Sequence, residues 1–404
     1  MTFNKLMKGM LAAATVFTMV ACGGSSAPAS GSDSSSAASG GNTAIKIGGS
    51  GPLTGGAAVY GNAVKNAAEI AVEEINAKGG LQFELNFQDD AHDTEKAVTA
   101  YGALKDWGMQ ASILTVTSAP GAAVAPLYSE DGIFAITPSG SSLAVIYKDA
   151  ANQTGSYGNI FQMCFTDPNQ GTASADYLAA HKDLGSKIAV IYKNDENYST
   201  GIRDKFVNQA AEVGLDIVYE GTFDDSNATD FSVQLTQAKE NGADIVFLPI
   251  YYDPASLILK QADSMGYAPT FFGVDGMDGI LSLEGFDKSL AEGVYLLTPF
   301  SADASDDLTA NFVTKYKEKF GETPNQFAAD AYDAIYAIAM ACENAGVTAD
   351  MSTADITAAL VSQFGSMTFN GLTGSDVTWA ATGEVSKAPK AIIIKDGVYV
   401  GVQD

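Results

Sequence analysis

A chain of 404 residues with a formal net charge of −26 presents a repulsive surface to nucleic acid and to anionic lipid headgroups, which argues against both as partners. Two histidines and three cysteines are too few for most zinc sites or for a histidine-dependent catalytic triad. With 46% hydrophobic residues and about 360 positions beyond an N-terminal tether, the chain is long enough for two domains with cores of their own.

The N-terminus carries Lys5 and Lys8 and no acid, then an apolar run from Met10 to Ala21 that ends Met19-Val20-Ala21-Cys22. This pattern predicts a secretory signal over 1–21, too short to span a bilayer. Small residues before a cysteine resemble a bacterial lipobox, which implies removal of 1–21 and a lipid on Cys22. Loss of the two lysines would move the formal charge to −28. Residues 22–43, rich in Gly, Ser and Ala, read as a flexible tether outside the membrane.

From Ala44 short β-branched runs alternate with helical periods. Residues 44–47 predict a strand, and Gly48-Gly-Ser-Gly-Pro52 predicts a turn. Val64, Ala67, Ala68, Ala71 and Ile75 recur at helical spacing until Lys78-Gly79-Gly80. A strand over 81–87, a helix over 95–107 and strands over 111–116 and 132–136 complete the first series. The second has strands over 187–192, 215–219 and 244–249. Helices over 201–213 and 255–265, and one carrying Phe231, Leu235 and Ala238, lie between or after them. A strand over 293–297 precedes two long helices, about 305–319 and 326–345. Residues 390–400 form a hairpin with Asp396-Gly397 at its turn. This βαβ alternation predicts an α/β fold of two doubly wound lobes with parallel sheets, the series parting near 161–168. The apolar run 335–342 is a buried helix segment, and Cys164 and Cys342 read as buried free thiols.

Familiar chemistry fails at each test. Thr54 stands where a GxGxxG motif needs its third glycine, and no phosphate-binding GxxxxGK[ST] occurs. Asp89-Asp90-Ala91-His92-Asp93 reads as an acidic strand-end turn, since a Ca-loop pattern is absent. No cofactor or metal is implied, and without a nucleophile–base pair the chain is not expected to be an enzyme. Small polar and aromatic residues instead cluster at the carboxyl ends of predicted strands, where doubly wound sheets bind ligands. Thr117-Ser118 and Thr137-Pro138-Ser139-Gly140-Ser141-Ser142 offer hydroxyls and N–H groups to a carboxylate. Asn197-Tyr198, Tyr251-Tyr252 and Asp275 add aromatic walls and one acid. Together they suit a small zwitterion.

The segments Gly51-Pro-Leu-Thr-Gly55, Tyr60-Gly61, Ala71-Val-Glu-Glu-Ile-Asn-Ala-Lys-Gly-Gly80, Tyr128-Ser-Glu-Asp-Gly-Ile133, Ile136-Thr-Pro138, Ala243-Asp-Ile-Val246 and Ala331-Tyr-Asp-Ala334 are each weakly specific. In their order and spacing the chain resembles the leucine/isoleucine/valine-binding protein family, solute receptors of branched-chain amino-acid ABC transporters. The resemblance implies a type I periplasmic binding protein with lobes joined by a three-strand hinge. It implies 44–163 and 298–365 in lobe 1, and 164–297 and 366–404 in lobe 2. Carried over by position, Ser118 grips the ligand carboxylate, a Ser139 carbonyl meets the ammonium, and the Ser141 hydroxyl touches both. Thr117 and Gly140 flank them. Tyr198 and Tyr251 cover the ligand, Tyr60 walls the side-chain pocket, and Asp275 pairs with the ammonium. Asp275 replaces a glutamate and Ser141 a threonine, while His92 and Thr117 stand where some relatives carry a disulfide. The implied partners are an amino acid, most readily a branched-chain one, and a permease and ATPase. The expected state is a monomer tethered outside the cytoplasmic membrane. Alternatives are a short amide, a small organic or aromatic acid, or a sensing role.

Overall fold

The computed structural model describes residues 43–402, so the predicted signal, tether and Cys22 lie outside the described residues. The chain opens β1 (Ile45–Gly51), α1 (Ala58–Lys78), β2 (Phe83–Asp89), α2 (Thr94–Trp107), β3 (Ala111–Thr115), α3 (Ser118–Asp131) and β4 (Phe134–Thr137). The predicted turn at 48–52 is a correction: Gly48 to Gly51 continue β1 instead of leaving it. The strand persists because its neighbours leave no room for side chains. A Cβ at Gly49 would stand 2.7 Å from Ile113 Cγ1 and 3.0 Å from Phe87. The alanine face of α1, with Ala67, Ala68 and Ala71 fully buried, admits close packing by the long helix α9 described below.

After a small hairpin, β5 (Tyr147–Asp149) with β6 (Thr154–Ser156), comes β7 (Ile160–Gln162). The first sheet has the order β2-β1-β3-β4-β7, all parallel. The chain then crosses to a second series: α4 (Asp167–Ala180), β8 (Lys187–Lys193), α5 (Asn197–Val213), β9 (Asp216–Phe223), α6 (Ser232–Glu240), β10 (Ile245–Leu248), α7 (Tyr252–Ser264), β11 (Thr270–Gly273) and β12 (Tyr295–Thr298). The crossing is terminated by a cap: the Thr166 hydroxyl accepts the Asn169 N–H, and Pro168 sits in the first turn of α4.

Three helices follow β12: α8 (Asp307–Phe320), α9 (Gln326–Ala345) and α10 (Thr353–Phe364). They return to the first sheet. Phe364 packs on Phe134 with centroids 4.9 Å apart, and Thr357 Oγ1 accepts the Phe134 N–H. The chain ends with β13 (Lys390–Lys395) and β14 (Val398–Gly401), whose turn places Asp396 and Gly397 at φ 51° and 71°. The second sheet therefore reads β14-β13-β12-β11-β10-β8-β9, parallel except for this antiparallel edge hairpin. Residues 366–404, expected as one piece of lobe 2, divide. Trp379 Nε1 donates to the Gln162 carbonyl, Leu372 and Thr373 donate to Asp333 of α9, and buried Lys387 pairs with Asp330 at 2.7 Å. Only from Lys390 does this segment join the second sheet.

Apolar side chains fill both faces of each sheet. Tyr101, Leu114 and Tyr128 lie between the first sheet and α2–α3, and Phe206, Phe247 and Phe272 between the second sheet and α4–α5. Cys164 and Cys342 are both buried and free.

Candidate ligand cleft

The strand ends predicted to hold a ligand face one another across the two sheets. In the first lobe β3 carries a bulge: Leu114 stands at φ 49° with its N–H held by Ser112 Oγ, and the pairing with β1 shifts register there. Thr117 then occupies the N-cap position of α3 and Ser118 its first residue. Ser118 Oγ accepts the Ser142 N–H at 3.2 Å, tying the β3 end to the loop after β4. In that loop Ser139 spends its hydroxyl on the Val116 carbonyl at 2.6 Å. The Gly140 N–H, expected among the anion donors, is taken by Thr137 Oγ1 at 2.7 Å, so Gly140 contributes close packing, not a donor. Ser141 is fully buried, and its hydroxyl has no hydrogen-bond partner.

Thr117 points elsewhere than toward a ligand alone. Its hydroxyl lies 2.9 Å from His92 Nδ1, where relatives were expected to carry a disulfide. Ala91 and His92 both adopt left-handed backbone, at φ 48° and 59°, and the Asp89 and Asp90 carboxylates hold their N–H groups. The acids of this turn thus brace a loop that aims His92 at the other lobe. His92 Nε2 reaches Glu196 Oε1 at 3.4 Å, an ion-pair distance without hydrogen-bond alignment. Its ring also meets Tyr251 edge-on at 5.5 Å. Among the described residues no group of metal-binding side chains is assembled.

From the second lobe come Tyr198 in the first turn of α5, Tyr251 capping α7, and Asp275 just beyond β11. The Tyr198 hydroxyl donates to Asp275 Oδ1 at 2.6 Å and accepts the Gly276 N–H at 2.9 Å. Its ring lies 4.7 Å from that of Tyr251 at an interplanar angle of 31°. Burial pushes the Asp275 carboxyl up to about 7, against the opposing pull of bonds from Tyr198, Gln170 and the Gly276 N–H. Burial likewise raises the Tyr198 and Tyr251 phenols, so both remain neutral donors.

Tyr60, in α1, joins the halves. Its hydroxyl donates to the Gly276 carbonyl and accepts the Tyr252 N–H, while its ring packs on Tyr251, Tyr252 and Phe327. The Val59 N–H adds a bond to the Tyr252 hydroxyl at 3.2 Å. These contacts tie α1 to the start of α7 and to the turn after β11.

Tyr60, Tyr198, Tyr251 and Asp275 are thus linked by direct contacts, and Ser118, Ser139, Gly140 and Ser141 by the loop after β4. Thr117 reaches the second lobe through His92. Sequence reasoning missed Asp167 and Gln170 of α4, Glu196, and Phe327. Asp167 N–H donates to the Ser141 carbonyl, and Gln170 Oε1 accepts the Asp275 N–H. Thr166-Asp167-Pro168 has the form of a helix start, and nothing in its spacing marks it as a neighbour of the strand-end residues.

Comparison with known proteins places this geometry. A family model for periplasmic binding proteins matches residues 44–391. The leucine-, isoleucine-, valine-, threonine- and alanine-binding protein of Pseudomonas aeruginosa is 27% identical over 307 residues, covering 75% of this chain and 79% of its own. The leucine-binding protein LivK of Thermotoga maritima superposes with a TM-score of 0.75 at 28% identity, over 89% of this chain and 98% of its own. The substrate-binding protein LivJ of Streptococcus pneumoniae, solved with isoleucine, gives 0.76 at 26% identity, over 89% and 100%. The chain belongs to the periplasmic binding protein family, with the type I fold, a family of solute-binding receptors and not of enzymes.

Proposed function

We propose that this protein is the extracytoplasmic receptor of an ABC importer and that it captures an amino acid, branched-chain first, between its two closing lobes. The observation that carries the reading is the buried Asp275–Tyr198 hydrogen bond, made beside the contacting rings of Tyr60, Tyr198 and Tyr251, with Ser118 and Ser141 buried at the strand ends of the first lobe. An acid without a basic partner suits an ammonium group, the hydroxyls suit a carboxylate, and Tyr60, Tyr251 and Phe327 suit an apolar side chain. The relatives named for leucine, isoleucine and valine support the same choice.

In the mechanism, the open form exposes both rims, the ligand bridges them, and closure follows because the ligand binds the closed state better. Bonds of Tyr60 and Val59 to the second lobe contribute only once the rims meet. Micromolar affinity needs only about 8 kcal/mol, within reach of a few charge-assisted hydrogen bonds and one apolar pocket. The closed form then docks on a permease driven by an ATPase. A lipid on Cys22 would keep the receptor, as a monomer, beside that permease, with Ser139, Gly140 and Thr117 shaping the first-lobe rim.

A thermal-shift screen tests the assignment. Leucine, isoleucine or valine should raise the melting temperature, while short amides and aromatic acids should leave it unchanged. Stabilisation by an acid lacking an amino group, with none by any amino acid, would overturn the reading.

A further inference from the structure

Asp167 is the buried acid that the reading above leaves idle. It is 1% exposed, and neither carboxylate oxygen meets full hydrogen-bond geometry with a protein donor, although the Ser141 and Ser142 hydroxyls lie close enough to favour its charged form against the larger effect of burial. Its place at the start of α4 does not explain it, because Thr166 already caps that helix and the Asp167 oxygens accept no backbone N–H. The basic side chains beside its neighbours Cys164 and Glu196 are committed elsewhere. Lys387 is held by Asp330 and Thr373, Lys193 by Asp225 and Asp195, and His92 faces Thr117 and Glu196.

Its surroundings are those of the cleft. The Asp167 N–H donates to the Ser141 carbonyl at 3.0 Å, and the Ser141 hydroxyl, itself fully buried and unpartnered, lies in the same seam. On the other side Asp167 rests against Gly201 of α5, one turn beyond Tyr198; a Cβ there would stand 3.1 Å from Asp167 Oδ2. Three residues along α4, on the same helix face, Gln170 accepts the Asp275 N–H and keeps its own Nε2 unpartnered. Asp275 and Glu196 lie close enough for their charges to act on Asp167. A fully buried carboxyl with two open oxygens is tolerated when it is neutral or when something from outside supplies N–H donors.

We propose that Asp167 is a ligand-binding residue of this cleft, the second carboxyl of the socket that takes the ligand's ammonium group. The inference rests on the amino-acid reading of the cleft. An ammonium offers three N–H donors; Asp275, the Ser139 carbonyl and Asp167 together accept all three. Two acids at that end also make the socket selective for a full positive charge, so a ligand that lacks one meets two buried carboxyls and no compensation.

Calorimetry tests this, with leucine, isoleucine, valine, threonine and alanine titrated separately into the full wild-type chain and into Asp167→Asn. The amino acid that binds the wild type best should lose at least tenfold in affinity in the variant. Its des-amino analogue should bind the variant no more weakly than it binds the wild type, and the melting temperature of the ligand-free variant should equal or exceed that of wild type. Wild-type binding with a variant affinity within twofold overturns the role of Asp167 and leaves the amino-acid reading standing. Failure of the wild type to bind any of the five overturns that reading, and this one with it. If Asp167→Asn does not fold, a crystal structure of the wild type with the best binder decides. An ammonium nitrogen within about 3.2 Å of an Asp167 oxygen supports the role, and one out of hydrogen-bond reach overturns it.

Discussion

Asp275 sets stability against binding. Desolvation raises its carboxyl to about 7, so the ligand-free fold favours the protonated form. For a raised carboxyl the sign is fixed: its contribution to folding is present at low pH and is lost as pH climbs toward 7. A bound ammonium reverses the preference, since it requires the carboxylate. Leucine affinity is therefore expected to be level above pH 8 and to fall as pH drops through 7, approaching about tenfold per unit below it. Asp275→Asn should blunt that slope, weaken leucine by roughly 2–5 kcal/mol, and raise the ligand-free melting temperature at pH 8. Calorimetry at pH 5, 6, 7 and 8 checks all but the last, and a flat wild-type profile would dissociate Asp275 from the ammonium. The sequence places Ser118, Ser141, Tyr198 and Asp275 after predicted strands, and the Tyr198–Asp275 bond joins two of them across 77 positions. His92 and Glu196 were not legible there, since their meeting depends on a left-handed turn in one lobe and a helix cap in the other.

At the scale of elements, β1 and α3 show how glycine and proline mislead when read locally. Gly48, Gly49 and Gly51 have the composition of a turn, yet they are strand residues whose missing side chains admit Met109, Ile113, Phe87 and Val116. Gly49→Val should cost about 1–3 kcal/mol by overpacking, read as a lower urea midpoint at unchanged slope. An unchanged midpoint would mean that the strand is free to move away from Ile113. In α3, Pro120, Gly121 and Pro126 hide a helical period. Pro120 is tolerated in the first turn, where its missing N–H has no intrahelical partner to lose. Gly121 is needed for contact, since a Cβ there would stand 2.9 Å from Thr115 Oγ1. The helices with a clear alanine and isoleucine period, α1 and α9 above all, needed no such correction.

For the whole molecule, the two-lobed plan followed from the alternation of strands and helices, but the path of the third crossing did not. Residues 366–387 contain no long periodic run, and their place beside α9 is set by a buried ion pair, Lys387–Asp330, whose partners lie 57 positions apart. Closure depends on similarly distant contacts. Tyr60→Phe would strand the Gly276 carbonyl and the Tyr252 N–H in the closed seam, a cost of about 1–3 kcal/mol borne by the closed form alone. The ligand-free variant should scatter X-rays as a more extended particle than wild type, with weaker leucine binding. Equal radii of gyration and equal affinities would show that Tyr60 does not bias the lobes. The two thiols bear on a different question. Cys164 and Cys342 are sequestered and unjoined, and a hydrogen bond between His92 and Thr117 braces the turn that relatives are expected to cross-link. Maturation of the described domain is therefore independent of any oxidant: non-covalent contacts bring it to its native state, and among the described residues a reducing environment finds no disulfide to attack.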